Sequence, residues 1–171
     1  MKKGKIIALS AISASFGLVF LVFGAYFSTF DLSCLFMATI CIMFPLSKDS
    51  VKGAVLTYLA ITLLSFIFVG GKFYISILFA VFFGLYPIVN YVQLKKYKTF
   101  CFLMPIKAVW FIITLLLMIY LFQLFTVTHP LIQKYLPFVA VIGGGLFFIV
   151  FDVIMLRFQK TTKILIERFK L

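Results

Sequence analysis

The chain has 171 residues, of which 65% are hydrophobic and only 12% charged, and 24 are phenylalanine. Soluble domains are about half apolar and about a quarter charged, and a single core of this length cannot bury so much apolar surface; the composition excludes a soluble globule and points to lipid as the solvent. The net charge of +12 does not mark a nucleic-acid partner, because the basic residues form short clusters between long apolar runs, where they act as topology determinants.

The apolar runs predict an all-α membrane protein, a bundle of six transmembrane helices over about 6–28, 31–47, 52–70, 74–94, 100–126 and 135–157. Each is long enough to cross or nearly cross about 30 Å of hydrocarbon. The first follows Met1-Lys2-Lys3-Gly4-Lys5, as a signal peptide would, but it continues to the length of a span and no small-x-small cleavage site ends it; it reads as a retained helix. Ser10, Ser13, Gly17 and Gly24 form a small-residue stripe along it. Within that stripe Ser13 and Gly17 make a small-xxx-small pair that lets another helix approach closely, in this chain or in a partner.

Asp31 is the expected N-cap of the second segment, Ser47-Lys48-Asp49-Ser50 supplies the cap of the third, and Gly70-Gly71 breaks the chain before the fourth. The second and third segments are the shortest, so a re-entrant pair is the alternative to two full crossings. On the fourth, Tyr86, Asn90 and Gln93 share a face, and Pro87 is expected to free the carbonyl of Phe83. The fifth carries Lys107, roughly 12 Å inside the bilayer at 1.5 Å per residue, and Thr128-His129-Pro130 turns the chain toward the sixth. The sixth carries Gly143-Gly144-Gly145, for close helix approach, and Asp152, with Gly145 and Asp152 on one face. Residues 158–171 are predicted to form a basic amphipathic cytoplasmic tail, with Phe158, Thr162, Leu165 and Phe169 at helical spacing; such a tail rests on anionic lipid or docks a cytoplasmic partner.

Lys2, Lys3, Lys5, Lys48, Lys52, Lys95, Lys96, Lys98, Arg157, Lys160, Lys163, Arg168 and Lys170 fall on one side of this layout, and only Lys72 and Lys134 on the other. Thirteen basic residues against two predict both termini in the cytoplasm and an even number of crossings. The cysteines Cys34, Cys41 and Cys101 show no metal or redox spacing and read as small buried hydrophobes.

Charges inside a span each cost several kcal/mol unless paired or wetted. The Lys107 stem leans toward the N-terminus of its helix, which brings its ammonium to about the level of Asp152. The expectation is therefore an intramembrane polar cluster of Tyr86, Asn90, Lys107 and Asp152. It acts either as a packing lock between helices or as a substrate or ion contact. No metal-ligand set, cofactor motif, His-Glu-x-x-His or Gly-x-Ser-x-Gly sequence is present, so the chain is expected not to be an enzyme.

This plan, together with Ser13-x-x-x-Gly17, resembles the S component, the substrate-binding membrane subunit of energy-coupling-factor vitamin transporters. Ser13 and Gly17 look like the Ala-x-x-x-Ala contact that such subunits present to their coupling partner. The resemblance implies a subunit that binds a small molecule for uptake alongside a coupling membrane subunit and ATPases. The chain differs from that family in its short loop after the first helix and in a polar cluster on the cytoplasmic half, and no binding residues carry over. The alternative is a small non-catalytic membrane scaffold or assembly factor of the bacterial envelope, similar in size and plan to the rod-shape protein family.

Overall fold

The structure, a computed structural model, describes residues 3–96, 104–122 and 130–168. In chain order these form α1 (Lys3–Tyr26), a single 3-10 turn (Ser28–Phe30), α2 (Asp31–Ser47), α3 (Val51–Phe68), α4 (Phe73–Leu78), a π-helical turn (Phe79–Phe83), α5 (Tyr86–Lys96), α6 (Met104–Phe122) and α7 (Pro130–Arg168). No strand occurs among the described residues. Among the described residues five stretches are long and apolar enough to cross a membrane: Gly4–Tyr26, Val51–Phe68, Phe73–Lys95, Met104–Leu121 and Val141–Ile164. Helix α2 is shorter, at 17 residues.

The outward faces carry large hydrophobic side chains, among them Ile12, Phe16 and Val19 of α1, Leu63 and Ile67 of α3, Val109 and Ile113 of α6, and Ile142 and Leu146 of α7. Water does not tolerate apolar surface of that extent; lipid does. Helix α2 lies at the centre, packed against α1, α3, α5 and α7, with Leu35, Ala38, Ile42, Met43 and Leu46 buried. Leu32, Met37 and Phe44 stay exposed on its remaining face, and its length of about 25 Å falls slightly short of the hydrocarbon thickness.

The small-residue stripe of α1 explains how α1, α2 and α3 come together. A Cβ on Gly17 would run into the Ile61 side chain of α3 and lie 3.5 Å from Cβ of Cys41 on α2, and one on Gly24 would lie 2.8 Å from Cβ of Cys34. The Ser10 hydroxyl donates to the Gly53 carbonyl at 3.1 Å, and the Thr57 hydroxyl donates to the Ser10 carbonyl at 3.2 Å. Ser13 is buried as well. Interhelical hydroxyl bonds at a close backbone approach are a usual means of holding helices in lipid.

Of the expected local features, one cap is different and another cap and the glycine break are as the residues predict. Asp31 does not cap α2: it is the first helical residue, after Phe30, and its Oδ2 accepts the Tyr74 hydroxyl at 2.7 Å. Ser50 caps α3, its hydroxyl accepting the Gly53 N–H at 3.1 Å. Gly70 adopts φ +65, which breaks the chain before α4.

The fourth apolar segment is three pieces instead of one. The Tyr58 ring of α3 occupies the space a side chain at 84 would need, 2.6 Å from the position of a Cβ, and the Tyr58 hydroxyl donates to the Ala80 carbonyl at 3.0 Å. Gly84 accommodates that ring, its N–H bonding back five residues to Phe79 at 2.7 Å. The break thus falls at Gly84, and Pro87 sits in the first turn of α5, where its missing N–H leaves no helix bond unmade.

Helix α7 begins at Pro130 and runs to Arg168 through Pro137 and Gly143-Gly144-Gly145, and after Gly145 no glycine or proline is present to end it. Residues 158–168 are the last turns of α7. Phe158 packs edge-on against Phe36 of α2, with ring centroids 5.7 Å apart. Cys101, Thr128-His129, Phe169 and Lys170 lie outside the described residues.

Candidate functional site

Helices α5, α6 and α7 converge on one buried polar network. Tyr86 opens α5 and Asn90 follows one turn later on the same face. Lys107 comes from the first turn of α6 and Asp152 from the middle of α7. Lys107 is 3% exposed and Asp152 is 0% exposed. The Lys107 ammonium donates to Asp152 Oδ1 at 3.0 Å and to Asn90 Oδ1 at 3.2 Å, while the Tyr86 hydroxyl donates to the same Asp152 oxygen. The ammonium also stands 5.2 Å from the centroid of the Tyr86 ring, a cation–π distance. All four residues of the expected cluster therefore meet.

A buried ion pair survives only when further hydrogen bonds satisfy its charges. Here the demand is met unevenly. Oδ1 of Asp152 receives two donors, whereas its Oδ2 is buried with no hydrogen-bond partner among the described residues. Gln93, on the Tyr86–Asn90 face of α5, is 4% exposed and neither of its amide atoms has a partner among the described residues. Aromatic rings surround the network: Tyr86 lies 5.0 Å from Phe151, 5.5 Å from Phe82 and 6.3 Å from Phe148, centroid to centroid.

The network continues away from the bundle centre. Asn90 donates its amide to Gln159 Oε1 at 3.0 Å, and Gln159 lines a cleft of about 410 Å³ whose other walls are Leu46, Ser47, Asp49, Tyr91, Leu94, Lys95, Lys160 and Lys163. Asp152, Gln159 and Lys163 are spaced by seven and four residues, so they form one polar stripe down α7, roughly 16 Å long. Sequence reasoning missed Gln159. The seven-residue interval from Asp152, which also pairs Asp152 with Gly145, was the signal that could have found it.

The remaining candidates are placed elsewhere. Ser13 and Gly17 are buried in the α1, α2 and α3 contact, far along the chain from the network. Gly145 faces open space, since a Cβ there would meet nothing within 4 Å. The close approach belongs to Gly144, where a Cβ would lie 2.7 Å from the Leu115 side chain of α6. The helix-packing role expected of Gly145 therefore moves by one residue, which on a helix is a rotation of about 100°.

Compared with protein-family models, curated proteins and solved structures, the chain matches none of them. Its function rests on its own geometry. A lysine, an aspartate, a phenol and two carboxamides in apolar surroundings link three helices, with hydrogen-bonding capacity left at Asp152 Oδ2 and Gln93.

Proposed function

We propose that this chain is a six-crossing subunit of the cell membrane, with both termini cytoplasmic, that binds a small polar molecule for uptake in the manner of an S component, working with a coupling membrane subunit and ATPases. The observation that carries this reading is the spare hydrogen-bonding capacity inside the bundle: Asp152 Oδ2 and both amide atoms of Gln93 are buried without partners among the described residues. A buried polar atom left unmade costs about 1–3 kcal/mol, so a network serving only as a lock gains nothing by keeping three of them. A ligand that bonds to them recovers that energy on binding.

The orientation rests on the thirteen-to-two distribution of basic residues. Because Ser13 and Gly17 are used inside the chain, a partner helix would meet the outward face of α1, where Ala8, Ala11 and Ser15 are exposed and again permit close approach.

The second reading is a non-catalytic scaffold or assembly factor. It is favoured by the aromatic rings packed around Tyr86 and Asp152, which suit a sealed lock. Gentle-detergent purification from the native membrane, with mass spectrometry of everything that co-elutes, separates the two. Uptake predicts a retained small molecule, lost in Asp152→Asn, together with ATPases and a second membrane subunit. Recovery of envelope-building enzymes, or of the chain alone with no small molecule, would refute it in favour of the scaffold.

A further inference from the structure

We propose that the cleft between α2, α5 and α7 at the lysine-rich end of the bundle is a binding site for a phosphate group. The inference does not depend on the uptake reading, since a scaffold with this cleft would hold the same group.

Three features define the chemistry. First, the cations converge from two elements: Lys95 from α5, and Lys160 and Lys163, three residues apart, from α7. Among the described side chains, the ion pair seen is Lys107 with Asp152, and none of these three lysines takes part in it. The one acid in the wall, Asp49, is engaged at Oδ1 by the Tyr91 hydroxyl, and the lining keeps two positive charges in excess. Like charges lining one cleft repel, and an anion between them relieves that repulsion.

Second, the cleft offers directed donors besides the ammonium groups. Gln159 uses its carbonyl oxygen to accept from Asn90, which leaves its amide N–H groups as donors on the cleft wall. The Lys95 ammonium stands 5.8 Å from the Tyr91 ring, close enough for the ring to hold it over the opening. Several cations and an amide donor match the three or more acceptor oxygens of a phosphate better than the two of a carboxylate, and lysine is a usual point-charge ligand for phosphate.

Third, the depth is right. The cleft residues Lys95, Lys160 and Lys163 lie in the last turns of the apolar stretches Phe73–Lys95 and Val141–Ile164, where lysines place their ammonium groups at the headgroup level. A phosphate there comes from one of two sources, an anionic lipid headgroup or a soluble phosphate compound. A volume of about 410 Å³ far exceeds the roughly 30 Å³ share of one water molecule, which leaves room for the ester substituent of either.

The full chain in neutral detergent is titrated with inorganic phosphate and, separately, with dioctanoyl phosphatidylglycerol. Wild type is compared with Lys160→Gln/Lys163→Gln and with Lys5→Gln/Lys52→Gln, which removes the same charge from exposed positions outside the cleft. The wild-type chain is expected to bind at least one probe, with affinity weakened about tenfold or more in the cleft variant and unchanged within about twofold in the control. Saturation by inorganic phosphate, with displacement of the lipid, assigns the site to soluble phosphate compounds. Lipid binding that phosphate does not displace assigns it to a headgroup. Failure of both probes to bind wild type, or equal binding by wild type and the cleft variant, or equal loss in both variants, overturns the proposal.

Discussion

Helices α1 to α3 and helices α5 to α7 bury polar atoms in contrasting ways. In the first group most of the bonded polar side chains are serine and threonine hydroxyls, which bond across a close backbone approach, as Ser10 and Thr57 do with Gly53 and Ser10, or back within their own helix, as Thr39 does with Leu35, although the Thr62 hydroxyl is buried without a partner among the described residues. Uncharged and short, they cost little to desolvate, and they let glycines bring backbones together. In the second group a lysine and an aspartate sit among aromatic rings, with carboxamides and a phenol around them. Small-residue contacts fix where helices meet; the charged network makes one trio of helices interdependent and keeps polar capacity at its centre.

Substitutions in the two regions should therefore differ in size and kind. The largest effect is expected at the ion pair. Lys107→Ala and Asp152→Ala should each lower stability by about 3–5 kcal/mol, because each leaves an uncompensated buried charge; reversible unfolding in mixed detergent micelles reads this out. Next comes Gly17→Leu, which must displace Ile61 and Cys41 and should cost about 1–3 kcal/mol through overpacking, visible as a lower midpoint in the same assay. Ser10→Ala removes one interhelical bond and should cost about 0.5–1 kcal/mol. Smallest, and opposite in sign, is Gly145→Ala: with nothing within 4 Å of the new Cβ, the gain in helix propensity should stabilise the chain by up to about 1 kcal/mol. A destabilising Gly145→Ala would mean that α7 packs closely on that face after all.

Much of this was legible in the sequence, for a physical reason. The strong constraint in lipid is that backbone groups be satisfied within helices, so long apolar runs between Ser/Asp and Gly-Gly breaks reveal the helices directly. A lysine and an aspartate in such runs must find each other or water, which is why Tyr86, Asn90, Lys107 and Asp152 could be grouped from depth alone. What stayed hidden depends on rotation and on contacts between segments distant in sequence. The π-helical turn arises from the Tyr58 ring of α3 pressing on Gly84, and nothing within residues 74–94 announces it. The choice between Gly144 and Gly145 is one residue of helical phase. Gln159 was overlooked because its position past Arg157 marked it as tail, whereas α7 continues inward-facing through that point.

The ion pair as the organising contact of α5 to α7 is tested most directly by a charge swap. Stability is measured for Lys107→Asp, Asp152→Lys and the double variant that carries both. If the two groups are partners in one network, each single variant places like charges together and unfolds readily, while the double variant recovers much of the loss, a coupling well beyond the few tenths of a kcal/mol expected of independent sites. Additive losses, with the double variant the least stable of the three, would contradict the account.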